Sequence, residues 1–219
     1  MAELMLVDND VLFKTSCYDL APELISILAC GSRDVASLAL AKFVLKRKIE
    51  KSGKIVDRQR ASKSLDTVLA SITSLEPDDA ELGLAAQYEE HALSAGYAFD
   101  SGESQLLAVL VNRAAKAMVT GDKRAIAAAW RLATDLGIVP ALAGRIACFE
   151  QVMLCICAKK GGAAVAASVC AEAAVDKAMS ICFGCSSTFD EQNSEEGLNS
   201  YVEHLRGNSG ELLGDNFFA

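Results

Sequence analysis

Histidine and proline are nearly missing from this sequence, with 2 and 3 copies respectively among 219 residues. With only His91 and His204, and no Gly-x-Ser-x-Gly elbow, Ser-His-Asp chemistry is excluded. Three prolines leave few interruptions and alanine is abundant, so most segments are expected to be helical. No opening segment combines a basic start, an apolar run and a small-residue cleavage site; a cytoplasmic protein with reduced thiols is therefore expected. A bilayer-spanning run is lacking too, because the most apolar late stretch, Val152 to Val175, is broken by Lys159-Lys160-Gly161-Gly162. There is no internal repeat.

Hydrophobic residues make up 52% of the chain, enough for a substantial core and one generous domain. The 8 cysteines sit mostly among Ala, Val, Leu and Ile, where a free thiol behaves as a small hydrophobe. Cys182-Phe183-Gly184-Cys185 with Cys155 and Cys157 could in principle hold zinc. Cys155 and Cys157, two apart on a helix, face different sides, so apolar packing is the expectation. Trp130 is read as core.

Net charge is −8, which argues against a general polyanion binder, but the charge is unevenly spread. Nine of the 21 bases (Lys42, Lys46, Arg47, Lys48, Lys51, Lys54, Arg58, Arg60 and Lys63) face only Glu50 and Asp57, a local +7. From Glu76 to Glu103 there are eight acids and no base. A positive arm beside an acidic cluster suits a metal-using enzyme with a phosphate-backbone substrate; from charge alone, two solvated helix faces explain it as well.

Leu4-Met5-Leu6-Val7 reads as a buried strand ending at Asp8, and a helix is expected from Ala21 to Ala29, stopped by Gly31. Residues 34 to 50 keep helical spacing, yet Phe43-Val44-Leu45 could sit in a strand. After Gly53, helices are expected from Arg60 to Ile72, from Pro77 to Ser94 before Gly96, and from Ser104 to Ala115. Ala117-Met118-Val119 is a second strand, ending at Thr120-Gly121-Asp122, with a helix from Lys123 to Thr134. Gly137-Ile138-Val139 reads as one further strand. Beyond it come a helix from Leu142 to Ala158, another from Gly162 to Ile181, and a loose tail. In that first helix Leu142, Ile146, Phe149, Val152, Met153 and Ile156 could form a homodimer face or cover the sheet, and covering is expected. Short apolar strands alternating with helices imply a three-layer, Rossmann-like α/β/α fold with a short parallel sheet.

In such sheets ligands bind beyond the carboxyl ends of strands. Asp8 and Asp122 each follow a strand, and Glu103 falls in the first turn of its helix after Asp100-Ser101-Gly102. Singly, each has a plainer reading: a loop acid, an N-cap and a capping residue. Together, converging carboxylates would repel without a cation, and a hard Mg²⁺ or Mn²⁺ ion would compensate them.

Leu6-Val7-Asp8-Asn9-Asp10-Val11-Leu12, Asp100-Ser101-Gly102-Glu103-Ser104-Gln105 and Thr120-Gly121-Asp122-Lys123-Arg124-Ala125 resemble, in order and spacing, three motifs of PIN-like nucleases. The resemblance covers residues 1–140 as a PIN-like core and implies C-terminal helices over 141–206 packed on it, with a tail over 207–219. It further implies Mg²⁺- or Mn²⁺-assisted phosphodiester hydrolysis, in RNA rather than DNA and away from membranes. Asp8, Glu103 and Asp122 would then be catalytic metal ligands, supported by Asp100 and Asp10. A further acid usual in the family is expected at Glu89 or Glu90. Lys46, Arg47, Lys48, Lys123 and Arg124 would hold the nucleic acid. Two alternatives stand beside this reading. One is a haloacid-dehalogenase-like phosphatase, whose nucleophile pair Asp8-x-Asp10 imitates, although Leu12 and the lack of an Asp following Asp122 depart from it. The other is a non-catalytic interaction module with a degenerate acidic pocket.

Overall fold

The sheet starts with β1, Leu4–Val7, whose last three residues are buried. Asp8 turns the chain into α1, Asn9–Cys17, accepting hydrogen bonds from the backbone N–H groups of Asn9 and Asp10. α2, Ala21–Leu28, follows with Pro22 in its first turn. A computed structural model describes residues 3–29 and 34–214, so Cys30 and the expected stop at Gly31 lie outside the described residues. Residues 34–50 then divide between the two readings left open. β2, Asp34–Leu38, is a strand, and α3, Ala41–Lys51, includes Phe43-Val44-Leu45. The buried stripe Ala41, Leu45 and Ile49, one per turn, selects helix for the second part.

α4, Arg58–Ser71, is capped by Asp57 and leads into β3, Thr73–Leu75, an edge strand with two exposed residues that carries no periodic signal. α5, Asp79–Ala95, opens with a capping box between Asp78 and Glu81 and ends at Gly96 in the left-handed region. α6, Ser101–Asn112, opens with the same device between Asp100 and Glu103. β4, Ala117–Thr120, then leads to α7, Lys123–Asp135, capped by Asp122.

The expected strand at 137–139 is not one. Gly137 takes φ 68 and begins a turn into the short helix α8, Val139–Leu142, with Pro140 in its first turn. The fifth strand instead comes out of the stretch read as one helix: β5 is Ile146–Cys148, and α9, Phe149–Lys160, follows it directly. A short apolar run buried on both faces cannot be told from a buried helical turn by spacing alone. α10 (Gly162–Ala171), α11 (Lys177–Cys182) and α12 (Glu191–Ser209) complete the chain.

All four strand pairings are parallel, in the order β3-β2-β1-β4-β5. Met5 and Val7 enter one core, under α1, α2, α4 and α9; Leu6 and Met118 enter the other, under α5, α6 and α7. The three-layer α/β/α reading therefore holds, with a helical C-terminal region. Leu142, Ile146, Phe149, Val152, Met153 and Ile156 are all buried within the chain, so they cover the sheet and none is left for a dimer face. Among the described residues no helix is long and apolar enough to cross a membrane.

Two sequence expectations need correcting. Cys170 and Cys185 form a disulfide, because the packing of α10 against the turn after α11 brings their Cα atoms to 5.0 Å. Cys17, Cys148, Cys155, Cys157 and Cys182 remain free thiols. Nor is all of 207–219 a loose tail. α12 runs to Ser209, and Leu212 and Leu213 are buried beside β5, where the Ile146 N–H donates to Leu212 O at 2.9 Å. Residues 215–219 lie outside the described part. Gly210 makes this turn with φ 51 and ψ −125, and a Cβ there would stand 2.4 Å from the Trp130 ring. Gly210→Ala should lower the melting temperature by roughly 5–15 °C, from backbone strain plus displaced packing. A thermal melt followed by circular dichroism checks this.

Candidate functional site

The chain leaves β1 towards β2 on one side and later returns through β4 on the other, so strand order reverses between β1 and β4. That is where a doubly wound sheet opens a crevice at its carboxyl edge. Asp8 leaves β1 on one wall, and Asp122, two residues past β4, stands on the other. Thr120, fully buried, stitches them: its hydroxyl donates to Asp8 Oδ2 at 3.1 Å and accepts from the Asp122 N–H at 3.2 Å.

The start of α6 supplies a third wall. Glu103 Oε2 accepts from the Asp100 N–H at 2.8 Å while Asp100 Oδ1 accepts from the Glu103 N–H at 2.9 Å. The capping role is thus real, and Glu103 still borders the crevice. Asp8, Asp10, Asp100, Glu103 and Asp122 line one cleft of about 430 Å³, together with Leu40, Val44 and Lys48 from the α3 side.

Crowding of acids in a poorly solvated cleft has the expected electrostatic result. Burial, then the charge of Asp10, pushes Asp8 up to about 6 against the opposing pull of the Asn9 N–H and the Thr120 hydroxyl. Glu103, only 7% exposed, is pushed up to about 8. Burial is the main cause, partly offset by the Asp100 N–H and reinforced by the charges of Asp100, Asp122 and Asp8. Burial also raises Asp122, but hydrogen bonds from the Arg124 side chain and the N–H groups of Arg124 and Ala125 outweigh it and hold the carboxyl below its usual range.

Asp10 is held differently. Lys14 Nζ sits 2.6 Å from Asp10 Oδ2 and 2.6 Å from Asp176 at the cap of α11, and Lys48 Nζ approaches Asp10 Oδ1 at 3.7 Å. Gly121 makes room for this, since a Cβ there would lie 2.4 Å from Asp10 Oδ2.

The five acids offer hard oxygen donors of the kind Mg²⁺ and Mn²⁺ prefer. Their spacing is not that of a formed cage: among the described residues no group of three His, Cys, Asp or Glu is already placed to hold an ion. Hydrogen bonds account for this, because both oxygens of Asp8 and both of Asp122 accept from neighbouring N–H or hydroxyl groups.

Glu89 and Glu90 are exposed on α5 and do not line the cleft. On α3 the cleft-lining side chains are Val44 and Lys48, with no acid. Arg47 and Lys48 do border a second groove, with Lys51, Lys54, Phe13 and Val44; it adjoins the acidic cleft and shares Asp10, Val44 and Lys48 with it. Lys46 instead pairs with Asp66 at 2.7 Å. Lys123 turns to Glu150 at 2.6 Å and lies 3.7 Å over the Tyr201 ring, while Arg124 reaches Asp122 at 3.3 Å. The sequence reading missed Thr120, Lys14 and Asp176. Lys14 could have been found, being four residues after Asp10 on one helix face; nothing in the sequence ties Asp176 to it.

No family model matches the chain, and no curated protein matches it. Among solved structures, VapBC2 from Rickettsia felis bound to a DNA fragment from their promoter is similar over 54% of this chain and 88% of that one. The TM-score is 0.44 and the identity 12%, too slight to place the chain in a family.

Proposed function

We propose that this chain is a Mg²⁺- or Mn²⁺-dependent phosphodiester hydrolase of PIN-like type, acting on nucleic acid and on RNA before DNA. The observation that carries the reading is the junction of two grooves at the carboxyl edge of the sheet. One holds five acids and the other Arg47, Lys48, Lys51 and Lys54. A phosphate backbone needs bases along its path and a cation at the cleaved bond, and the two grooves meet at Asp10 and Lys48.

The donor set fits such a cation in kind: the repulsion that lifts Asp8 and Glu103 is what a divalent ion relieves. Asp8, Glu103 and Asp122 would hold it, with Asp100 beside them and Asp10 tied to Lys14 and Lys48. When bound, the ion would polarise a phosphoryl oxygen and acidify an attacking water. Thr120 keeps Asp8 and Asp122 in register on adjacent strands, and the Asp100 N–H fixes one oxygen of Glu103. Arg47, Lys51 and Lys54 would carry the flanking phosphates. A phosphatase reading would ask Asp10 to donate a proton, and its oxygens face two ammonium groups.

The test is end-labelled single-stranded RNA incubated with the protein in Mn²⁺ or in EDTA, alongside calorimetric titration of Mn²⁺. Shorter products in Mn²⁺ alone, with heat of binding, are expected. Intact RNA and DNA in both metals, with no heat, would remove the hydrolase.

A further inference from the structure

Leu40, Phe43 and Val44 are 65%, 69% and 49% exposed, unusual for large apolar side chains, and they cluster where α3 begins. α3 packs inward through Ala41, Leu45 and Ile49, so the fold does not need apolar residues on its outer side. The rest of that side is basic. Lys42 and Arg47 are exposed and have no ion-pair partner among the described residues, and Lys48 and Lys51 continue the series.

The placement is specific. Leu40 and Val44 line the acidic cleft, and Val44, Arg47, Lys48 and Lys51 line the basic groove. Phe43 precedes Arg47 by one turn, so ring and guanidinium are neighbours on the helix surface. An unpaired nucleic-acid strand presents flat base faces and phosphates in alternation, which an exposed aromatic ring among free bases complements. A protein partner covering Phe43 would have to bury or neutralise Lys42 and Arg47.

We propose that Phe43 is a stacking platform for an unpaired base of the nucleic-acid strand, next to the phosphate that enters the acidic cleft. The strand's other phosphates follow Arg47, Lys48, Lys51 and Lys54. The inference takes the identity of the strand from the hydrolase reading, but binding by stacking is independent of cleavage.

The experiment uses the full chain in EDTA, so that nothing is cut. A fluorescein-labelled unpaired 12-nucleotide oligoadenylate and a blunt RNA duplex of equal length are titrated at several salt concentrations and read by anisotropy. The single strand should bind more tightly than the duplex. Phe43→Ala should weaken it about tenfold at every salt concentration, with the slope of log affinity against log salt unchanged. Arg47→Gln with Lys51→Gln should instead flatten that slope by roughly 1–1.5. Phe43→Trp should keep the affinity and show indole emission quenched on binding, beyond any change at Trp130.

No binding by the wild type, equal or better binding of the duplex, or an unchanged affinity in Phe43→Ala would overturn the proposal. A Phe43→Ala variant that loses self-association in sedimentation while binding RNA as before would make the patch a protein interface, and also overturns it. Intact stacking with no cleavage in Mn²⁺ would sink the hydrolase and leave Phe43 standing; the opposite pattern separates them the other way.

Discussion

Glu103→Gln should stabilise the metal-free protein at pH 8, raising its melting temperature by roughly 5–10 °C, and should cut Mn²⁺-dependent cleavage by about a thousandfold or more. The two effects have one cause. Glu103 titrates near 8 in the folded protein against an ordinary 4.5, so at pH 8 about half of the folded molecules carry a buried charge facing Asp100, Asp122 and Asp8. Glutamine is neutral at every pH, and its carbonyl can still accept from the Asp100 N–H. Its amide can donate to the surrounding carboxylates, an interaction the ionised acid lacks. After allowance for relaxation of the cleft, the gain is about 2–3 kcal/mol. A hard cation, however, loses an anionic ligand. Asp122→Asn is the contrasting case. That carboxyl is held below its usual range by Arg124 and two N–H groups of α7, so its replacement should cost about 1 kcal/mol as well as activity. Parallel thermal melts and cleavage assays decide the matter: a lower melting temperature in Glu103→Gln, or undiminished cleavage in both variants, rules out a strained ligand cluster.

The acids were legible because strand ends and helix starts leave local marks. Asp8 follows a four-residue apolar run, Asp122 follows another, and Asp100-x-x-Glu103 has the spacing of a capping box. Whether they meet depends on β1 pairing with β4, which no local pattern records. β3 was hidden by its length and exposure, and β5 by sharing its apolar spacing with the helices around it. Long-range pairs were equally silent. Lys123 lies beside a candidate ligand in sequence and looks free, but Glu150 and Tyr201 claim it. The expectation of uniformly reduced cysteines failed for a similar reason, since Cys170 and Cys185 meet only through the packing of α10 and α11. The place on α3 where a further acid might have been sought holds Val44 and Lys48, and the same helix shows Phe43 to solvent. In sequence, that phenylalanine was indistinguishable from core.

Metal-free protein should lose about 2–4 kcal/mol of stability between pH 5 and pH 8, and Mn²⁺ should remove most of that loss. The sign follows from proton counts. Between 4.5 and 8 the folded state keeps a proton on Glu103 that the unfolded chain has released, and between 3.8 and 6 the same holds for Asp8. Stability therefore falls as pH rises through those ranges. Glu81, pulled down to about 2 chiefly by hydrogen bonds from the Arg113 side chain, acts in the opposite sense. Its contribution is present above 4.5 and is lost as pH falls towards 2, which places the optimum of the metal-free protein near pH 5. Because a cation binds the ionised carboxylates, its stabilisation should be small at pH 5 and largest at pH 8, with proton release at pH 7 visible as buffer-dependent heat. Cleavage should rise over pH 6 to 8 for the same reason, as Glu103 gives up its proton. Urea denaturation at pH 5, 6.5 and 8, with and without Mn²⁺, measures the linkage directly. A profile that Mn²⁺ shifts equally at all three values would mean that the ion binds somewhere other than among Asp8, Glu103 and Asp122.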